Sequence, residues 1–224
     1  MSVALRREGN VFVLTMNAGE NRFNRPFLSA LNTALDEVEG SSGAAALVTV
    51  GGEAKFYSNG LDLAWISGAG QQEGPGFIAD VMRFLGRMLG FPVATVAAIN
   101  GHAFAAGGML ALAHDYRVMR ADRGFFCLPE VDINLPLAPG MVALIQTKLG
   151  INTVRDLVLT GKRVGGEEAV AMRIVDEAAG ADDVLSRAVA RAEALAAKDR
   201  AIYAALKQGL FGPAIRTLQQ GALA

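Results

Sequence analysis

Alternating apolar and polar side chains mark the start of the chain: Val3 to Arg7 and Val11 to Met16 flank Gly9-Asn10, a pattern that predicts a two-stranded hairpin. The rhythm then changes. Asn17 to Arg25 is polar and irregular, Pro26 suits the first turn of a helix, and Phe27, Leu31, Leu35 and Val38 form one apolar stripe ending near Gly40. Ala44 to Val50 is a short continuous apolar run, read as a buried strand that Gly51-Gly52 breaks. Leu61 to Ile66 reads as a short helix, and Ser67 to Gly76, rich in Gly and Gln, as a mobile surface loop. Ile78, Val81, Met82, Leu85, Met88 and Leu89 restore helical spacing over Phe77 to Leu89.

Pro92 to Ile99 has the length and β-branched content of a buried strand; Asn100-Gly101 is a turn signal, and Gly107-Gly108 opens an apolar segment of helical length. Asp115 to Arg120 alternates as a strand would, and Gly124 to Leu128 predicts another short one, interrupted by Pro129 just before Glu130. Leu135 to Gly140 reads as a turn. Helices are expected over Met141 to Leu149, Thr153 to Thr160, Gly166 to Met172, Asp182 to Lys198 and Ala201 to Leu210. Strand, helix and strand in succession imply a layered α/β architecture.

Composition narrows the function classes. With 224 residues, 52% hydrophobic and 19% charged, the chain can bury a sizeable core and is not a disordered one. Its 21 Lys and Arg against 22 Asp and Glu give a net charge of -1, so no nucleic-acid partner is expected. The lone Cys127 rules out an internal disulfide framework, fits a reducing compartment and is expected to be a small buried residue. No apolar stretch approaches an uninterrupted membrane span, so no membrane partner is expected. The N-terminus is too short in its apolar part for a secretory segment, and the C-terminal Gln-Gly-Ala-Leu-Ala is not a Ser-Lys-Leu address; the expected location is cytoplasmic.

Candidate chemistry concentrates between Ala97 and Ile133. A strand, a small-residue loop and a helix start present backbone N–H groups that have no partner within the helix and can face a developing negative charge. Glu130 is the acid expected opposite that charge, and the apolar Phe125, Phe126, Leu128 and Ile133 around it would raise its pKa. Asp132, two residues on, would point to the other face of a strand and is expected to be structural. His102 and His114 have no companions at metal-ligand spacing, and no metal is expected. Ser58 lacks the context of a hydrolase nucleophile, and neither glycine pair matches a P-loop or a dinucleotide fingerprint.

Two motifs carry a family resemblance. Asn100-Gly-His-Ala-Phe-Ala-Ala-Gly-Gly-Met109 resembles the second oxyanion segment of the crotonase (enoyl-CoA hydratase/isomerase) superfamily, and Phe56-Tyr-Ser-Asn-Gly-Leu-Asp-Leu63 resembles its first. His114 to Phe125 and the following Pro-Glu-Val-Asp are similar to the delta-3, delta-2-enoyl-CoA isomerases of the short plant-type branch. The resemblance implies a crotonase-like ββα spiral over residues 1–148 and a helical C-terminal trimerisation part over 149–224, in a homotrimer or dimer of trimers. It also implies an acyl-CoA thioester substrate, with no cofactor beyond the CoA that the substrate carries. Carried over residue by residue, Leu61 and Ala106 would be the oxyanion donors. Ser58, Asn59, Gly60, Leu61, Asp62, Leu63 and Gly107 would bind substrate. Hydratases of this family use two glutamates; here the first position is Met109, which moves no proton, and the second is Glu130. One carboxylate suits transposition of a double bond, where a single base takes a proton from C2 and returns it to C4. Another acyl-CoA reaction on the same scaffold (hydrolysis, decarboxylation or hydration), or a non-catalytic acyl-CoA-binding protein, is the alternative.

Overall fold

A computed structural model describes residues 2–221; the final Ala222-Leu223-Ala224, part of the C-terminal segment read for a targeting address, lies outside them. The chain opens with the antiparallel hairpin β1 (Val3–Glu8) and β2 (Val11–Met16), then α1 (Arg25–Gly40) and β3 (Ala46–Gly51). α1 starts where expected because the Asn24 side chain accepts from the Phe27 amide at 3.0 Å, a cap worth about 1 kcal/mol. Its stripe of Phe27, Leu28, Leu31, Leu35 and Val38 is buried.

Next come β4 (Phe56–Ser58), α2 (Leu63–Ser67), a single 3-10 turn over Gln71–Glu73, α3 (Gly74–Leu89), β5 (Ala94–Ile99), β6 (His102–Phe104) and α4 (Ala106–Ala113). They are followed by β7 (Tyr116–Arg120), β8 (Phe126–Cys127), α5 (Pro139–Lys148), α6 (Ile151–Val158), α7 (Gly166–Ala171), β9 (Glu177–Ala179), α8 (Val184–Ala196) and α9 (Arg200–Gln220). From β3 onward the chain spirals. Each turn lays one strand in a six-stranded sheet of order β1-β2-β3-β5-β7-β9 and the next strand in a three-stranded sheet of order β4-β6-β8. Beyond the opening hairpin every pairing in both sheets is parallel. This is the crotonase-like α/β spiral.

Two cores result. One, between the sheets and α1, α3, α4 and α5, gathers Phe23, Phe27, Phe77, Leu85, Met109, Phe126 and Leu144; the other covers the outer face of the large sheet with Val184, Ala188, Ala192 and Ala196 of α8. The helices beyond residue 149 therefore pack back on their own chain, α8 on the large sheet and α9 on α3 and α5.

Several expectations are corrected. The short helix starts at Leu63, not Leu61, because the Asp62 carboxylate caps it by accepting from the Trp65 amide at 3.0 Å. Residues 67–76 are not an open loop: they hold the 3-10 turn and the first residues of α3. Asn100-Gly101 leads into β6 before the helix begins. Glu130 and Asp132 lie in a turn in which the Asp132 and Ile133 amides donate to the Pro129 carbonyl, so the strand alternation invoked for Asp132 does not operate. The last helix runs ten residues past Leu210 to Gln220, through Pro213, because Ala214, Ile215 and Leu218 beyond the proline are buried.

Candidate active site

The small sheet decides where the chemistry can be. Its three strands are parallel, so their carboxyl ends share one edge, and the loops that leave them carry Leu61 after β4, Ala106 after β6 and Glu130 after β8. Ligands in α/β folds collect at such strand ends because that is where loops can diverge around an opening. Here the opening is a cavity of about 360 Å³ lined by Leu61, Ala106, Met109 and Glu130, with Ile78 and Met141 among its apolar walls.

The first two loops lean on one another. Gly60 has φ of 78°, and a Cβ on it would stand 2.9 Å from the Phe104 carbonyl oxygen and 3.2 Å from the Ala106 nitrogen, so only glycine allows this approach. Around Leu61, Phe23 N donates to Gly60 O and Asp62 N to Phe23 O, which leaves the Leu61 amide without an acceptor among the described residues. Ala106 is the first residue of α4, where an amide has no intrahelical acceptor. Ala105 before it adopts φ of 50° and ψ of -126°, a strained conformation for a residue with a Cβ.

Glu130 lines the same cavity as Leu61 and Ala106. It is 6% exposed, and its Oε2 has no hydrogen-bond partner among the described residues. Burial pushes its pKa up to about 7, opposed only in part by its own backbone amide. A carboxyl so placed exchanges a proton near neutrality. Met109, 1% exposed, also lines the cavity and offers no second proton carrier.

Of the residues expected to bind substrate, Asn59, Leu61 and Leu63 line the cavity, whereas Ser58, Gly60, Asp62 and Gly107 are not among its lining residues. Ser58 is fully buried and donates to the Asn21 carbonyl at 2.7 Å. Asp62 is spent on capping α2. A Cβ on Gly107 would collide with the Ser58 backbone. Arg22, Phe104 and Leu135 to Ala138 line the cavity too. Arg22 sits in a stretch whose only sequence signal is polarity, and Leu135 to Ala138 reads as a plain turn. His102, on β6, packs among Phe56, Phe104 and Phe125 and accepts from the Phe125 amide at 3.2 Å. Among the described residues no cluster of three or more His, Cys, Asp or Glu could hold a metal ion. Nor is any helix among them long and apolar enough to cross a membrane.

The sequence model of the enoyl-CoA hydratase/isomerase family matches residues 6–223. The chain belongs to that family. It is 39% identical over 216 residues to enoyl-CoA delta isomerase 3 of Arabidopsis thaliana, covering 92% of this chain and 91% of the relative. It is 37% identical over 218 residues to the same plant's enoyl-CoA delta isomerase 2, named as peroxisomal, again covering 92% and 91%. Among solved structures, a probable enoyl-CoA hydratase from Mycobacterium tuberculosis superposes with a TM-score of 0.91 at 26% identity, over 99% of this chain and 93% of that one.

Proposed function

We propose that the protein isomerises 3-enoyl-CoA to 2-enoyl-CoA. A thioester acidifies its α-carbon, yet the proton leaves only if the enolate oxygen is stabilised. The Leu61 and Ala106 amides hold that oxygen, each contributing about 3 kcal/mol in the transition state. Glu130 takes the proton from C2 as the electron pair moves into the enolate, and returns it to C4 as the double bond shifts into conjugation with the carbonyl. No water is consumed and no second acid is needed. The observation that carries this reading is the single desolvated carboxyl, with one oxygen free of hydrogen bonds, in the same cavity as two unpaired amides and a methionine. The names of the Arabidopsis relatives support the isomerase over the hydratase.

The apolar cavity walls suit the acyl chain, and the CoA of the substrate is the only cofactor moiety the reaction requires. Ile202, Leu206 and Leu210 repeat every four residues along α9 and are 61%, 61% and 71% exposed, an apolar stripe that supports burial against a further copy in a homotrimer or dimer of trimers. The reading carries no nucleic-acid or membrane partner and a cytoplasmic location. Purified protein mixed with 3-enoyl-CoA should generate the absorbance of the conjugated 2-enoyl product, and Glu130→Gln should abolish it. Consumption of another acyl-CoA without that product would replace this reaction with a different one on the same scaffold; binding without turnover would make the protein a non-catalytic binder.

A further inference from the structure

The proposed reaction leaves unused a line of buried polar groups that runs between the elements bearing its two amides. His114 follows α4; its Nδ1 lies 2.8 Å from the Leu110 carbonyl oxygen and its Nε2 2.9 Å from the Thr49 hydroxyl of β3. The Tyr57 hydroxyl of β4 is 2.8 Å from the same Thr49 oxygen. Tyr57 and His114 are fully buried and Thr49 is 3% exposed. The proton positions follow from the partners. A carbonyl oxygen only accepts, so Nδ1 carries hydrogen. Burial pushes the His114 pKa down to about 3, so the ring is neutral and Nε2 accepts from Thr49. The Thr49 hydroxyl has then given its only proton, and Tyr57 must donate to it.

The elements joined by this line matter. α4 begins with Ala106, and every one of its eight residues is buried and apolar or glycine. Contacts between apolar faces have no direction and do not fix how far a helix slides along its axis. Directional contacts hold it at its two ends: before Ala106 the Ala105 amide donates to the Cys127 carbonyl at 3.0 Å, and after the helix the His114 carbonyl accepts from Lys148 at 2.9 Å and Arg117 at 3.1 Å while its ring is held by Thr49. Tyr57, at the other end of the line, sits in the strand that exits toward Leu61, and its own carbonyl accepts from Asn21 at 3.0 Å. A helix of two turns moves as a rod, so the position of His114 acts on that of Ala106 together with the Ala105 bond at the near end.

We propose that Thr49, Tyr57 and His114 are positioning residues: their hydrogen bonds set the axial register of α4 against β4, and with it the spacing of the Ala106 and Leu61 amides around the enolate oxygen. This rests on the reading of those amides as the oxyanion donors. Misplacing preorganised donors weakens transition-state binding more than ground-state binding, so the effect falls on kcat.

Steady-state kinetics with 3-enoyl-CoA, run beside thermal melts, test it. Thr49→Val keeps the side-chain shape and removes both hydrogen bonds; kcat should fall on the order of tenfold with KM within about twofold. Thr49→Ser restores the hydroxyl and should return kcat to within about twofold of wild type. Tyr57→Phe, which leaves the Thr49–His114 bond intact, should cost about threefold in kcat. Thr49→Val protein that melts lower but turns over at the wild-type kcat would show a line that only fills the core, and would overturn the proposal. If Thr49→Val does not fold, an unchanged kcat in Tyr57→Phe overturns it equally. The underlying function fails separately: inactive wild type, or fully active Glu130→Gln, removes it whatever Thr49 does, and the positioning role falls with it.

Discussion

Gly107 lies so close against Ser58 that a Cβ on it would stand 2.3 Å from the Ser58 carbonyl oxygen. The second residue of α4 thus rests on the backbone of the strand that leads to Leu61, and α4 cannot approach β4 this closely with any side chain in that place. Gly107→Ala is expected to push α4 outward, costing about 1–3 kcal/mol of stability. It should also remove most of the isomerase kcat by displacing the Ala106 amide. A thermal melt and a rate measurement on the same sample check both, and a stable, fully active Gly107→Ala protein would contradict the geometry.

The pH dependence of turnover should belong to Glu130. Its pKa of about 7 reflects burial. As the proposed base it would have to be ionised to accept the C2 proton, so kcat/KM should rise with pH along a single limb with an apparent midpoint near that value. A midpoint in the ordinary carboxylate range would mean that the carboxyl is solvated in the working enzyme.

The same burial has a cost in stability, which follows from the order in which the two states ionise. At low pH both the folded and the unfolded chain carry the proton and the cost is absent. As pH rises the unfolded carboxyl ionises first, around its ordinary value of 4.5, and stability falls until the native carboxyl ionises near 7. Glu130→Gln should therefore be more stable than wild type by about 3 kcal/mol at pH 8 and little different at pH 4. Denaturant titrations at the two pH values measure it. An equal difference at both would disconnect the stability change from ionisation.

The sequence pattern was most legible where local preference and burial agree. The Val3–Met16 hairpin and the Phe27–Val38 stripe appear as read because turn residues, caps and apolar period all point one way. Strands of two or three residues such as Phe56–Ser58, His102–Phe104 and Phe126–Cys127 have too few positions to show a period and are defined by long-range pairing, chiefly with one another. Helix propensity at Pro213 was overridden by the burial of Ala214, Ile215 and Leu218. Glu130 stood out by residue type and neighbours, but the missing partner of its Oε2 depends on where three separate loops meet. The contribution of Arg22 to the cavity wall has no local signature for the same reason.

Ala105 holds a backbone conformation, φ of 50° with ψ of -126°, in which a Cβ is strained. Such strain costs on the order of 1–3 kcal/mol, and glycine relieves it while giving back part of the gain as unfolded-state entropy. Ala105→Gly is expected to raise stability by about 1 kcal/mol with kcat within about twofold of wild type. Ala105→Val should lose both stability and activity. A glycine variant that melts below wild type would show that the Ala105 methyl contributes more by packing than its backbone loses.

Lys207 ties the C-terminal helix to the large sheet: its Nζ lies 2.8 Å from an Asp115 carboxylate oxygen, and it donates to the carbonyls of Phe91 and Val93 at 2.9 and 3.0 Å. The same carboxylate oxygen accepts from the Thr95 amide at 2.9 Å and the Tyr203 hydroxyl at 3.2 Å. With side chains only 4% and 10% exposed, the pair gains little net energy over an apolar one, because desolvation offsets attraction. Breaking it is another matter. Lys207→Met leaves a buried carboxylate without its cation and two carbonyls without a donor, at a cost of about 3–5 kcal/mol. Adding Asp115→Asn removes the stranded charge, so the double variant should be more stable than Lys207→Met alone. A double-mutant cycle read by denaturant unfolding measures the coupling. Simple addition of the two single losses would mean that Asp115 is held by Thr95 and Tyr203 without help from the lysine.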